Sequence, residues 1–257
     1  DKLMDIKNIK KEFPIFTQKI NGNPLVYLDS ANSSQKPKMV IDRISNFYET
    51  EYSNIGRSVH SLAVKSTNRF EATRDLVKKY INAAYREEII FTKGATEAIN
   101  LVASTYGKKH IKKGDEILIT ELEHHSNYVP WHYLRSEKGA IIKFAPVNES
   151  GDVEIDEIKK LISSKTKIIA ITHISNVTGA VLPIKKIVDL AKEKNIPVLI
   201  DGTQGAPHAY IDMQSIDCDF YAISCHKMYG PNGLGILYAK KKWLDELPPY
   251  QGGGGMI

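Results

Sequence analysis

The apolar runs along these 257 residues predict an α/β protein with three α/β/α layers around a mostly parallel sheet. Three observations carry that expectation. Short apolar runs such as Glu116–Ile119, Lys167–Thr172 and Pro197–Ile200 lack polar alternation, as strands buried on both faces do. Stretches of helical periodicity separate them. Polar residues capable of chemistry follow five of the runs, at the strand ends where open α/β sheets bind ligands.

The elements follow in order. Asn21–Pro24 marks a turn before a strand over Leu25–Leu28. Pro37 opens a helix reaching about Tyr52, with Val40, Ile41, Ile44 and Phe47 on one side. A second helix runs from about Ser61 to Ala83, then come a strand over Glu88–Phe91 and a helix over Thr96–Tyr106. In that helix Ile99, Val102, Ala103 and Tyr106 recur at i, i+3, i+4 and i+7. Strand Glu116–Ile119, helix Asn127–Glu137, strand Ile141–Ala145, helix Ile155–Ile162 and strand Lys167–Thr172 continue the alternation. Pro183 suits the start of a helix over Ile184–Lys194, and Asn195 its stop. Strands over Pro197–Ile200, Phe220–Ile223 and Gly235–Tyr238 close the series. The short 230–233 loop makes the last two an antiparallel pair.

Composition is that of a globular protein, with 42% hydrophobic and 25% charged residues. The net charge of +5 is spread over helix-like stretches, with no basic tract interleaved with aromatics, so nucleic acid is not an expected partner. No apolar stretch is long enough to span a membrane. The first residues carry no signal-peptide core. Cys218 and Cys225 flank one strand, which argues against a disulfide and for a reducing compartment, either the cytoplasm or an organellar matrix. QGGGGMI is an abrupt ending, and the natural chain is expected to continue past Ile257.

The strand ends assemble a chemistry. Gly94-Ala95-Thr96 opens a helix whose free N–H groups suit a phosphate, with Ser224 and His226 as further donors. Asp201 is a buried carboxylate that needs a cation, which a protonated pyridine nitrogen supplies. His124 offers a flat ring. Lys227, at the end of a buried strand, can condense with an aldehyde, because burial frees its amine. Phosphate, pyridinium, ring face and aldehyde together describe pyridoxal 5'-phosphate. Each signal alone has an ordinary explanation: a tight turn, a helix cap, a surface lysine. His124, His125 and His132 also admit a metal-hydrolase reading.

The motifs LDSANSSQKP (28–37), FTKGATEAINLVA (91–103), ELEHHSNYVPW (121–131), ITHISNVTGAVLPI (171–184), VLIDGTQGAPH (198–208), DCDFYAISCHKMYGPNGLGILY (217–238) and PPYQGGGGMI (248–257) stand in an order that resembles one family. It is the class V aminotransferase group of fold-type I pyridoxal phosphate enzymes, and most closely its SUF-type (group II) cysteine desulfurases. The resemblance implies residues 1–30 as an N-terminal segment, 31–257 as the cofactor-binding large domain, and a C-terminal small domain missing from this chain. Lys227 matches the Schiff-base lysine that also moves protons, and Asp201 the partner of the pyridine nitrogen. Gln204 matches the donor to the phenolic oxygen. His124 matches the stacked histidine and proton donor, and Ala95, Thr96, Ser224 and His226 the phosphate cup. Asn176 and Arg57 match substrate-positioning residues. The implied reaction takes L-cysteine to L-alanine, with sulfur left as a persulfide for iron–sulfur assembly. The implied partners are a second copy, making a homodimer, and a SUF-type sulfur acceptor.

The match has departures. The family's nucleophilic cysteine and carboxylate-binding arginine lie in the C-terminal domain. Cys225 stands where relatives usually have glycine. Gly56 and Ser58 flank Arg57 in place of the usual histidine and glycine, and Asn32, Ser33 and Ser34 vary the first motif. Three readings compete with the desulfurase: another class V enzyme (selenocysteine lyase, aminotransferase or kynureninase-like), a non-catalytic truncated scaffold, and the metal hydrolase.

Overall fold

The computed structural model describes residues 5–254 and 256. Residues 1–4 of the N-terminal segment, and Gly255 and Ile257 of the glycine-rich motif, lie outside the described residues. A short helix over Ile6–Lys11 and a 3₁₀ turn over Pro14–Thr17 precede a two-stranded hairpin, β1 (Lys19–Ile20) and β2 (Asn23–Pro24), which turns on Asn21 and Gly22 at φ 51° and 80°. A helix follows over Lys38–Thr50 and a longer one over Ser61–Tyr80. Seven strands then form one sheet: β3 (Ile89–Thr92), β4 (Glu116–Thr120), β5 (Ile141–Ala145), β6 (Thr166–Thr172), β7 (Val198–Asp201), β8 (Phe220–Ser224) and β9 (Gly235–Ala239). Their order is β3-β9-β8-β7-β6-β4-β5. The pairs among β8, β7, β6, β4 and β5 are parallel, while β9 is antiparallel to both β8 and β3. The expected mostly parallel sheet with an antiparallel final pair is the one observed.

The uninterrupted apolar runs follow from a core on each side of the sheet. Leu118, Ile169, Ile171, Val198, Ile200, Tyr221 and Ile223 face one cluster. Their neighbours Ile117, Ile119, Ile168, Ala170, Leu199, Phe220 and Ala222 face the other. The helix over Ile184–Lys192 covers the first face, burying Ile184, Ile187, Val188 and Ala191. Asn195 ends the following turn in the left-handed region at φ 55°. The helix at Ala95–Val102 covers the second face and runs through one wider π turn, Ala103–Gly107, to His110.

Two expectations are corrected. Residues 25–28 form no strand: among the described residues their single backbone bond runs from Leu25 N–H to the Gln18 carbonyl at 3.1 Å, and Val26 and Leu28 are exposed. Along the helix over Lys38–Thr50, Val40 and Phe47 are half-buried while Ile41 and Ile44 are exposed. Pro37 and Pro183 cap their helices from just outside rather than opening them.

Strand β9 crosses the start of the Ala95 helix so closely that only glycine fits at 235. A Cβ there would lie 2.4 Å from Gly94 Cα and 2.7 Å from its nitrogen. Neither is a flexible side chain that could move aside. Gly235→Ala is expected to cost about 1–3 kcal/mol, read as a lower urea midpoint with an unchanged m-value.

Candidate active site

The carboxyl ends of β4, β6, β7 and β8, together with the loop after the antiparallel β3, open into one cavity of about 870 Å³. Its lining includes Ala95, Thr96, His124, Asn176, Asp201, Gln204, Ser224, His226 and Lys227, so nine of the ten residues singled out from sequence meet there. Arg57 does not line it and lies in the exposed segment before the Ser61 helix. Asn32, Ser33, Ser126, Thr203 and Tyr250 line it too and carried no assigned role. All five stand inside or beside the quoted motifs, which is the signal that could have found them.

One end of the cavity is built for an anion. The first helical hydrogen bond runs from Ala98 N–H to the Gly94 carbonyl at 3.1 Å, leaving the amides of Ala95, Thr96 and Glu97 without helical acceptors. Ser224 is buried, and its hydroxyl has no hydrogen-bond partner among the described residues. A Cβ placed on Gly94 would meet only that hydroxyl, at 3.9 Å. Free amides, a free hydroxyl and open space at Gly94 form a cradle for a phosphate. His226 Nδ1 lies 3.0 Å from Ser33 Oγ, and burial, Lys227 and Lys36 all favour its neutral form.

The other end is built for a cationic ring. Asp201 is 4% exposed, and one carboxylate oxygen accepts from Thr203 N–H at 3.0 Å. Its second oxygen has no hydrogen bond and the group no ion pair among the described residues. A protonated ring nitrogen fits that acceptor. Lys227 is half-buried; burial lowers its pKa while Asp201 and Asp29 oppose the shift. Gln204 Nε2 donates to the Ala31 carbonyl at 2.5 Å. His124 Nδ1 accepts from Ser126 N–H at 3.1 Å, so in the neutral ring Nε2 carries the proton. Thr96 Oγ1 lies 2.9 Å from Ser126 Oγ, tying the phosphate cradle to the turn that carries His124.

Two titratable groups support this rim. Glu123 accepts from Thr120 Oγ1 at 2.6 Å, Thr172 N–H at 2.9 Å and Asn127 Nδ2 at 2.6 Å, and Asn127 in turn accepts from Trp131 Nε1. Burial lifts Glu123 to about 8 against those hydrogen bonds. Below β7, His173 Nδ1 lies 2.8 Å from the Tyr221 hydroxyl, and burial lowers His173 to about 4. Between the ordinary histidine value and 4 the unfolded chain takes up a proton that the folded protein refuses. His173 therefore contributes stability above that window, and the contribution is lost as pH falls through it, by up to about 3 kcal/mol. Urea midpoints for His173→Gln are expected to decline less than those of the parent between pH 7 and 4.

No group of three potential metal ligands occurs among the described residues, which removes the support for a His124–His125–His132 metal site. Cys218 and Cys225 are free thiols. Burial pushes Cys218 far up and Cys225 to about 11, away from the reactive thiolate. Among the described residues no helix is long and apolar enough to cross a membrane.

Cradle, acceptor and lysine, set on the ends of a mostly parallel sheet, define a fold-type I pyridoxal phosphate protein. Residues 26–257 match the family described as aminotransferase class-V, and the chain belongs to that family, whose cofactor is pyridoxal phosphate. It is 47% identical over 253 residues to a cysteine desulfurase of Synechococcus elongatus, covering 98% of this chain and 40% of that one. It is 47% identical over 254 residues to a probable cysteine desulfurase of Halalkalibacterium halodurans, covering 99% and 63%. The crystal structure of the Escherichia coli cysteine desulfurase CsdA, in its S-sulfonic acid form, superposes with a TM-score of 0.89 at 36% identity, covering 99% and 63%. The chain thus spans between two fifths and just under two thirds of the length of these relatives.

Proposed function

We propose that this chain is the cofactor-binding part of a SUF-type cysteine desulfurase, converting L-cysteine to L-alanine and delivering sulfur as a persulfide for iron–sulfur assembly. Residues 31–257 form the large domain in this reading. The thiol nucleophile and a carboxylate-binding arginine come from a C-terminal small domain outside this chain. The desulfurase names and the greater length of the relatives support that assignment, as do the two suppressed thiols. Bound pyridoxal phosphate supplies an electron sink for the bond broken at the substrate α-carbon. The amides of Ala95 and Thr96, Ser224 and His226 hold its phosphate, Asp201 its ring nitrogen, and Gln204 its phenolic oxygen. Lys227 would hold its aldehyde, and its amine would take the substrate α-proton. Nε2–H of His124 donates a proton to the departing product, and Asn176 orients the substrate carboxylate. Arg57 reaches substrate in this reading only with a partner subunit or further domain in place. A cytoplasmic homodimer that passes sulfur to a SUF-type acceptor completes it.

The observation that carries this reading is the meeting of a phosphate cradle, an unpaired buried carboxylate and a burial-shifted lysine in one cavity. The test is the visible absorption spectrum of the purified protein with pyridoxal phosphate, before and after L-cysteine. A protein-bound band that cysteine shifts, and alanine from the whole polypeptide, are expected. A band indifferent to cysteine but shifted by another amino acid would move the assignment to another class V reaction.

A further inference from the structure

The first motif, LDSANSSQKP, has no part in the reaction beyond cavity-lining Asn32 and Ser33, yet it is tied to the lysine turn more densely than any neighbour in the sequence. The His226 carbonyl, in the peptide unit that leads into Lys227, accepts from Ser34 N–H at 3.0 Å, Ser34 Oγ at 2.9 Å and Lys36 Nζ at 2.7 Å. Ser34 Oγ also accepts from Tyr229 N–H at 2.8 Å, so one buried hydroxyl bridges both sides of Lys227. Tyr229 sits at φ 63°, a left-handed conformation unfavourable for a tyrosine that needs such outside support. Lys36 Nζ also donates to the Ser34 carbonyl at 2.8 Å, closing the clamp on itself.

From this geometry we infer that Ser34 and Lys36 are positioning residues: they fix the 226–229 turn and so aim the Lys227 amine into the cavity. The inference rests on the cofactor reading for its purpose but not for its geometry. A short turn held only by its own 3₁₀ bonds would let the lysine stem sample several directions. The clamp removes that freedom before any ligand arrives, which is pre-organisation of a reacting group. The Lys36 ammonium serves as the third donor to the carbonyl.

The test uses this chain with Ser34→Ala, Lys36→Met and Lys36→Arg. Hydrogen–deuterium exchange of the cofactor-free protein reads the Tyr229 amide, and growth of the visible band on adding pyridoxal phosphate reads Lys227. Ser34→Ala and Lys36→Met are expected to speed Tyr229 exchange roughly tenfold, as loss of one such bond does. They slow band formation severalfold, leave exchange in β6 unchanged, and Lys36→Arg restores both readouts. Unchanged Tyr229 exchange, or protection lost equally in β6, would overturn the clamp. So would an arginine variant that behaves like the methionine one. Absence of a band in the parent protein would refute the cofactor reading alone, with the exchange data still judging the clamp.

Discussion

Lys227→Ala is expected to form no protein-bound pyridoxal phosphate band and, in the whole polypeptide, to give no alanine from cysteine, although the cofactor still binds through its phosphate. On the proposed assignment the loss exceeds the ~10²–10⁴-fold attached to general acid–base groups, because one amine would both anchor the aldehyde and move the proton. The pH dependence follows from the same side chain. Only the neutral amine condenses with an aldehyde, and burial favours it. The rate of band formation in the parent protein therefore rises with pH, with a midpoint below the ordinary lysine value. Stopped-flow mixing across pH 6–10 measures it, and a midpoint at the ordinary value would mean that Lys227 is not desolvated.

Asp201→Asn gives the second large effect and separates binding from chemistry. The cradle and Lys227 are intact, so the cofactor still binds. On the proposed assignment the ring nitrogen is then no longer held charged, and turnover of the whole polypeptide falls on the order of 10²–10³-fold, as loss of a pre-organised electrostatic partner does. Asp201 also opposes the lowering of the Lys227 pKa. Its removal moves that pKa further down, so the midpoint for cofactor uptake shifts to lower pH than in the parent. A variant with full turnover, or with the midpoint moved upward, would show that Asp201 does not face the ring nitrogen.

The sheet was legible because its strands are buried on both faces. Ile141–Ala145 is as expected from its run, and the other sheet strands shift by one residue at one or both ends. Residues 25–28 look like a strand locally, but a strand exists only where a neighbour accepts its hydrogen bonds, and local spacing does not encode neighbours. The same limit applied to the site. The strand-end rule brought nine residues to one cavity, since each lies directly after an apolar run. Arg57 follows no strand and does not reach it. The roles of Glu123, His173, Ser34 and Lys36 depend on partners 48 to 195 residues away, beyond any periodicity. Cys225 could not be judged from its neighbours, because its thiol is governed by burial.

The bond between Ser34 and the His226 carbonyl joins groups 192 residues apart, which gives this fold a timetable. At roughly 5–20 residues per second, a ribosome needs about 10 to 40 s to make the second partner after the first. Strand β3 waits as well, since its one sheet neighbour among the described residues, β9, is made later still. The parallel strands β4 to β8 can pair with one another as they emerge, but the lysine turn can be locked only once residues 226–229 are made. Lys227 is made at the close of that interval and just ahead of β9, so the lysine turn is completed at about the step in which the sheet gains its last strand.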